Sequence, residues 1–520
     1  MPHSARSLAN ESNASILDDK QLGHLAFIDQ LSRQLPGDWS HMGASEPGQG
    51  YFDAYRYQIA MMSYALSLAQ YHFTPAWREH HSAVSRRLIE KMLRFDVWGY
   101  WELTSRGDIT IDPSLTVLHK GLIDPVRYQN IMYSGHLFQM ITTHAMLYGD
   151  SAFELPGSIS FDYNPFGRGL GRQVFDYDIH SLAAVIIDQF RKNGWRGIEC
   201  EPNAIFPECN QHPIIACALY DQLYGTDYFA EVAEHFKAQF DDLEYLDKDT
   251  QSFMAYYQVK QNKVVRRNRA WSDGWSGTFM HAWSKAIVEH AYPTQRDRHI
   301  IRLNDGTATV KFYKGEQSYS HGHGFMATLA AELGDDETLN ALLSYADQYW
   351  QPRWDGESLI YPRRDVLKEP QDPAHVWRRL QPLTANGLLA LARIGGRNRI
   401  ADMVSRPKAH DYEKHPMLSG VQYPSVQVQY ARYAPERAAL EIILKAGKSY
   451  ANDQTAEFKI DNLKLRERYQ VIRDGVVIAE VFDGNVQQVN SGVDIALQEN
   501  HLAVSLSLKK QTSLAVTRLA

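Results

Sequence analysis

The sequence predicts a mainly α fold, an (α/α)6 barrel with a C-terminal antiparallel β domain, on three observations. Helical apolar spacing recurs in about ten to twelve segments between residues 16 and 394, and no strand–helix alternation interrupts them. Beyond residue 420 the period becomes alternating. Successive helices without intervening strands exclude a doubly wound sheet and favour antiparallel helix pairs. No fixed repeat of about 34 or 40 residues marks an open solenoid, so closure into a barrel around a central cavity is the expected architecture.

The elements follow in order. Residues 16–35 carry Ile16, Leu22, Leu25, Ile28 and Leu31 at helical spacing and end at Pro36-Gly37. Asp29 follows directly on Phe27-Ile28, an odd place for a solvated acid. Helices are expected over 53–72, with Tyr57 and Tyr64, over 77–94, and, after the aromatic block 97–101, over 126–147, with Met132, Tyr133 and His136. Further helical patterns fall at 177–193, 212–223, 228–241, 272–291, 321–333, 336–349 and 378–394, with one hairpin over 252–267. Residues 406–420 read as a linker, placing a barrel domain at 1–410 and a sandwich-like β domain at 420–520. In the latter, 426–433, 438–446, 469–481, 493–498 and 502–508 read as strands, and Asp474-Gly475 is a two-residue hairpin signal. That domain offers no catalytic grouping and reads as a packing or oligomerisation module.

A net charge of −7 leaves no basic footprint for nucleic acid. The first fifteen residues lack an apolar signal core, and no run approaches the roughly 18 apolar residues of a membrane span, so a soluble, cytoplasmic protein is expected. The 29 Tyr, 20 Phe and 11 Trp are enough to line a cavity suited to a hydrophobic or sugar-like ligand. All three cysteines fall within 195–228. Their spacing is not that of a structural metal site, and His321-Gly-His323 puts its two imidazoles on different sides of a helix, so no metal is expected. Cys217 sits in an apolar helical run and reads as core. Cys200 and Cys209 flank a loop with Glu201, Pro202 and Pro207, with helical spacing resuming only after Asn210, which points both thiols toward a pocket.

The stretches IDQLS (28–32), YRYQIAMMSYAL (55–66), KMLRFDVWGYW (91–101), QNIMYSGHL (129–137), IECEPNAIFPECN (198–210) and YDQLYGTDY (220–228) together resemble the linalool dehydratase/isomerase family. The likeness runs in order over roughly residues 20–350 and leaves out the β domain. It implies an (α/α)6 enzyme that removes or adds water at an allylic alcohol and isomerises it, with no metal or organic cofactor. Carried over by position, the catalytic set is Asp29, His136, Cys200 and Cys209, with Tyr57, Met132 and Glu201 nearby. The resemblance also implies a ring-shaped homo-oligomer in which Asp29 reaches a neighbouring subunit's site. Two departures bear on substrate. Leu35 stands near the place of a family tyrosine, and Phe279 in WSGTFMHAW replaces another, so a small alkenol other than linalool is expected. An insertion relative to that family between His136 and Cys200, rich in Gly, Phe and Tyr (161–172), is expected to reshape the entrance.

The chemistry assigns roles to these groups. Hydroxide is a poor leaving group, so an acid must protonate it as the bond breaks, and a desolvated Asp29 suits that task. An imidazolium at His136 beside a thiolate at Cys200 or Cys209 would supply a base or a transient nucleophile, and the sequence does not choose between them. Aromatic faces of Tyr57, Tyr133, Trp275 and Phe279 would exclude water and hold cationic carbon. The alternative from another class of chemistry is a carbohydrate-active toroid, a polysaccharide lyase, epimerase or hydrolase. A third is a non-catalytic carrier of a hydrophobic ligand.

Overall fold

The computed structural model describes residues 16–43, 52–164, 171–311, 320–368, 377–406, 414–450, 455–464, 466–488, 493–498, 501–508 and 511–519. Its longer helices are α1 (Asp19–Ser32), α2 (Tyr55–His72), α3 (Glu79–Met92), α4 (Ile131–Tyr148), α5 (Ile179–Lys192), α6 (Pro207–Tyr224) and α7 (Tyr228–Asp242). They continue as α8 (Ala270–Met280), α9 (Lys285–His299), α10 (His321–Leu333), α11 (Asp336–Tyr349), α12 (Leu389–Ile394) and α13 (Arg399–Ser405). A π-helical stretch, Leu383–Leu388, leads into α12.

Contacts among these helices close a ring. α2 packs on α4, α4 on α6, α6 on α8, α8 on α10, and α10 on the π-helical stretch and α12, which return to α2. A second helix lies outside each member: α3, α5, α7, α9, α11 and α1. Burial explains the two layers. α2 and α4 are buried almost all round, as helices lined on every side must be. α5 buries one stripe, Leu182, Ala183, Ile186, Ile187 and Phe190, and turns Lys192 and Asp188 to solvent. The starts are specified locally. Asp18 and Gln21 form a capping box on α1, and Asp178 and Ser181 form one on α5. Gly135 of α4 lies against Pro213 of α6, where an added Cβ would sit 2.9 Å from the proline ring, so the two inner helices touch closely.

Several boundaries differ from the expectation. α6 begins at Pro207, because proline fits a first turn whose N–H groups have no helical acceptor. Cys209 is therefore on the helix and not on the loop before it. The pattern over 272–291 breaks into α8 and α9, and the strand Trp377–Leu380 takes the start of 378–394. Besides the strands Tyr256–Gln258 and Lys263–Val265, short hairpins form at 159–177, 300–310, 353–360 and 364–380. The tip of the 161–172 insertion and residues 407–413 of the linker lie outside the described residues, as does the N-terminal stretch 1–15.

The C-terminal strands form two antiparallel sheets. One orders Met417–Ser419, Thr455–Asp461, His501–Ser507 and Val493–Gln498. The other orders Val426–Ala434, Ala439–Ala446, Gln511–Arg518, Tyr469–Arg473, Val476–Phe482 and Asn485–Gln488. Asp474 and Gly475 both take positive φ at their turn, as the dipeptide requires. The linker is shorter than expected, since pairing begins at Met417. Leu418, Phe458, Val428 and Leu440 pack between the sheets in one apolar cluster, which also takes in Ala76 and Trp77 of the helical part. Main-chain bonds from Ala76 to Ala431 and from Leu17 to Gln429 fasten the two parts. Among the described residues no helix is long and apolar enough to cross a membrane.

Candidate active site

The first turns of the inner helices converge at one mouth of the ring. Tyr57 lies in the first turn of α2, Met132 in that of α4 and Cys209 in that of α6; His136, His212 and Trp275 sit one turn deeper. The thiol-bearing loop is fastened from both sides. Asn210 accepts from the Ile198 N–H at 2.7 Å and donates to the Ile198 carbonyl at 3.0 Å and the Phe206 carbonyl at 2.9 Å. Gly197 runs beside it at φ +114, where a side chain would strike Ile205. The Asn130 N–H, in a left-handed turn before α4, donates to the Cys200 carbonyl at 3.2 Å.

Cys200 and Cys209 are free, buried and within hydrogen-bonding reach of each other. Burial pushes both thiols up, and the Cys200 S–H donated to Cys209 makes Cys209 the easier of the two to ionise. Its position near a helix N-terminus works in the same direction at only about 0.3–1 kcal/mol, and burial outweighs it. Around the pair stand Arg56, Tyr57, Tyr100 and Glu201, near enough to shift one another's ionisation. The buried Arg56 guanidinium lies 4.5 Å from the Tyr57 ring centre and 4.0 Å from that of Tyr100. The Tyr57 hydroxyl meets Met132 Sδ at 3.5 Å. Desolvation lifts the Glu201 carboxyl to about 7 against the opposing pull of Arg56, and its Oε2 is buried without a protein partner. Glu208 is buried and pushed up in the same way.

His136 stands on the other side of Tyr57, their ring centres 5.8 Å apart. Its protonation follows from the bonds beneath it. The Trp275 indole only donates, so His212 Nε2 accepts from it at 2.8 Å and carries its own proton on Nδ1, which it donates to Gln139 Oε1 at 2.7 Å. Tyr64 then finds its acceptor in His136 Nδ1 at 2.9 Å, which leaves the His136 proton on Nε2. That nitrogen is buried with no protein partner. Burial, helped by the Arg56 charge, holds the His136 pKa down at about 3. Phe279 closes the floor at 4.5 Å from His212, between ring centres. Beside Glu201, which is part of its lining, a cavity of about 950 Å³ opens, bordered by residues 103–104, 106–111 and 115–118 and by Phe206, Ala255, Tyr256, Arg267 and Trp271.

Most of the residues expected from sequence meet here: Tyr57, Met132, His136, Cys200, Glu201, Cys209, Trp275 and Phe279. Three expectations are corrected. Asp29 is buried but not unpaired. Phe27 and Ile28 turn into the core, while the Asp29 carboxylate is held by Arg33 at 3.0 Å and Arg87 at 2.7 Å on the outer layer, away from the thiols of its own chain. Tyr133 faces outward, with its hydroxyl on the Met92 carbonyl at 2.8 Å and its ring against Phe161. The thiolate–imidazolium pair is absent, because one burial raises the thiols and depresses the imidazole, leaving both neutral. Leu35 is 75% exposed. His321 stacks on Phe52 whereas His323 meets the Leu342 carbonyl, so the two do diverge; among the described residues no metal-ligand group forms.

Sequence reasoning missed Arg56, Tyr64, Tyr100, Gln139, Glu208 and His212. Arg56 and Tyr64 lie inside the YRYQIAMMSYAL stretch, and a polar residue at helical spacing within an otherwise apolar run was the available signal.

A family model described as linalool dehydratase/isomerase matches residues 56–367. The match takes in every residue of this cluster and leaves out Asp29 and the β sheets. Among solved structures, the chain is similar to an unsaturated glucuronyl hydrolase specific for heparin, at 10% identity over 75% of this chain and 96% of that one, TM-score 0.43. It is also similar to Dfg5 from Chaetomium thermophilum in complex with glucosamine, at 14% identity over 76% and 99%, TM-score 0.40.

Proposed function

The chain belongs to the linalool dehydratase/isomerase family, and on that premise we propose that it is a cofactor-free hydro-lyase and isomerase of hydrophobic allylic alcohols. The observation that carries this is one buried cluster in which a protonatable carboxyl (Glu201), a hydrogen-bonded thiol pair (Cys200, Cys209) and a guanidinium (Arg56) meet beneath aromatic walls. The ring of inner helices with outer companions is read as an (α/α)6 barrel, divided from a β domain near residues 410–420.

Glu201, protonated, gives its proton to the substrate hydroxyl and water departs. The allylic cation left behind is held by the faces of Tyr57 and Trp275 and by the carboxylate just formed. That carboxylate, now the strongest base in the site, takes back the proton lost from the neighbouring carbon, with Cys209 on the path. For isomerisation, water adds to the other allylic end of the cation and gives its extra proton to the Glu201 carboxylate. In the covalent variant Cys209 Sγ first captures the cation, its thiol proton passing to Glu201. Water then adds at the other allylic end as the C–S bond breaks, the water's proton returning to the Cys209 sulfur. His136 Nε2–H serves as a neutral donor to the substrate oxygen.

Asp29 of a neighbouring subunit in a ring-shaped assembly is the alternative acid. It would have to leave Arg33 and Arg87 to act, so Asp29→Asn with unchanged turnover removes it. The test of the whole reading is incubation of the purified protein with a panel of allylic alcohols, following water loss by mass. The wild type is expected to dehydrate at least one, and the Cys200→Ala/Cys209→Ala double variant to dehydrate none. Full activity in that double variant, or turnover confined to unsaturated uronides, sinks it.

A further inference from the structure

We propose that the cavity outside Glu201 is a channel for an extended apolar tail, so that the substrate is an allylic alcohol of fifteen or more carbons and not the ten-carbon linalool. This rests on the hydro-lyase reading for the reacting end and on separate observations for the tail. The cavity's volume of about 950 Å³ lies at the top of the range of roughly 300–1,000 Å³ that encloses drug-sized molecules, far more than a ten-carbon alcohol fills.

Its walls are apolar where a tail would run. Ile109, Val117 and Leu118 are 66%, 77% and 61% exposed, and with Leu103 they gather most of one short segment's large side chains on the open side of the cavity. Isolated exposed apolar residues need no explanation, but a cluster of them rimming one opening marks a surface that something covers. The charged groups on the same walls are already engaged. Arg106 is paired with Glu102 at 3.3 Å, Asp108 accepts from the Thr110 N–H at 2.7 Å, and Arg267 lies over the Tyr256 ring at 5.7 Å. The link to the reacting end is Glu201, which is itself one of the residues lining this cavity, so a ligand whose hydroxyl meets that side chain has Ile109, Val117 and Leu118 on the same walls for its hydrocarbon.

The test is equilibrium binding and turnover of linalool, nerolidol and geranyllinalool, with ten, fifteen and twenty carbons, by the wild type and by V117E/L118E. Both substituted positions are surface-exposed, so the variant should fold, and its melting temperature checks this. The wild type is expected to bind the fifteen-carbon alcohol about tenfold or more tightly than linalool. The variant is expected to bring the three alcohols to one affinity. Equal affinity across the series in the wild type overturns the proposal, as does a chain-length gain that survives V117E/L118E. A change of oligomeric state in the variant with binding untouched also overturns it, since the patch would then be a contact between copies of this chain. Chain-length-dependent, variant-sensitive binding without dehydration leaves the channel standing and removes the hydro-lyase reading. Linalool dehydration without chain-length dependence does the reverse.

Discussion

Replacing Glu201 by Gln keeps the shape of the side chain and takes away its proton, which separates acid catalysis from packing. With its carboxyl at about 7, Glu201 is about half protonated at neutrality and loses tenfold of its acid form for each further pH unit. Positioned general acids contribute about 10²–10⁴-fold, so kcat/KM is expected to fall by that factor in the variant and, in the parent, to decline above pH 7. Stability moves the opposite way. A folded-state pKa raised from 4.5 gives a contribution that is complete below pH 4.5 and lost as pH rises through about 7. At about 1.4 kcal/mol per unit the loss comes to about 3.5 kcal/mol, and the side chain's edge on the outer cavity lowers that to about 2. Arg56's attraction is already contained in the pKa. Urea unfolding at pH 5 and pH 8 should therefore find the variant more stable than its parent at pH 8 by about 2 kcal/mol, with the gap narrowing at pH 5. A variant with parental kcat/KM, or one less stable at pH 8, refutes the assignment.

Because burial raises both site thiols, iodoacetamide should alkylate Cys200 and Cys209 slowly at pH 7 and faster toward pH 9; rapid labelling at neutrality would mean a thiolate that this geometry does not hold. Asn210→Ala strands the Ile198 N–H and carbonyl inside the protein, and about 2–4 kcal/mol of stability should go with them, measured by urea unfolding; a loss below 1 kcal/mol would show that the loop is held elsewhere. Acid should unfold the protein early. His24, His81, His136 and His321 are each depressed from 6.5 to about 3, so the stability they contribute is complete above pH 6.5 and lost as pH falls toward 3. A melting temperature that stays flat from pH 7 to pH 4 contradicts this.

The helices were legible because burial on one stripe or on all sides leaves a periodic trace, and the Asp474-Gly475 turn because few residues accept positive φ. Strands such as Thr455–Asp461 and Gln511–Arg518 went unread, and so did the short hairpins between helices other than the one within 252–267, since three to five residues are too few to establish a period. At the site, the motif stretches named Tyr57, His136, Cys200, Glu201 and Cys209 but not their charge states. Tyr133 misled because adjacency along a helix says nothing of which face a side chain takes once a partner such as Met92 is in place, and for the same reason the pairing of Asp29 with Arg87 could not be read.

By itself the sequence determined the succession of helices, the change to strands near residue 420 and the residues able to perform acid–base and thiol chemistry. Only the tertiary structure decided which of them share one desolvated chamber and, through that, which are neutral. Ionisation depends on the solvent removed and the charges brought near, and both are set by side chains far apart in the chain: Arg56 beside Glu201, and Tyr64 and His212 beneath His136.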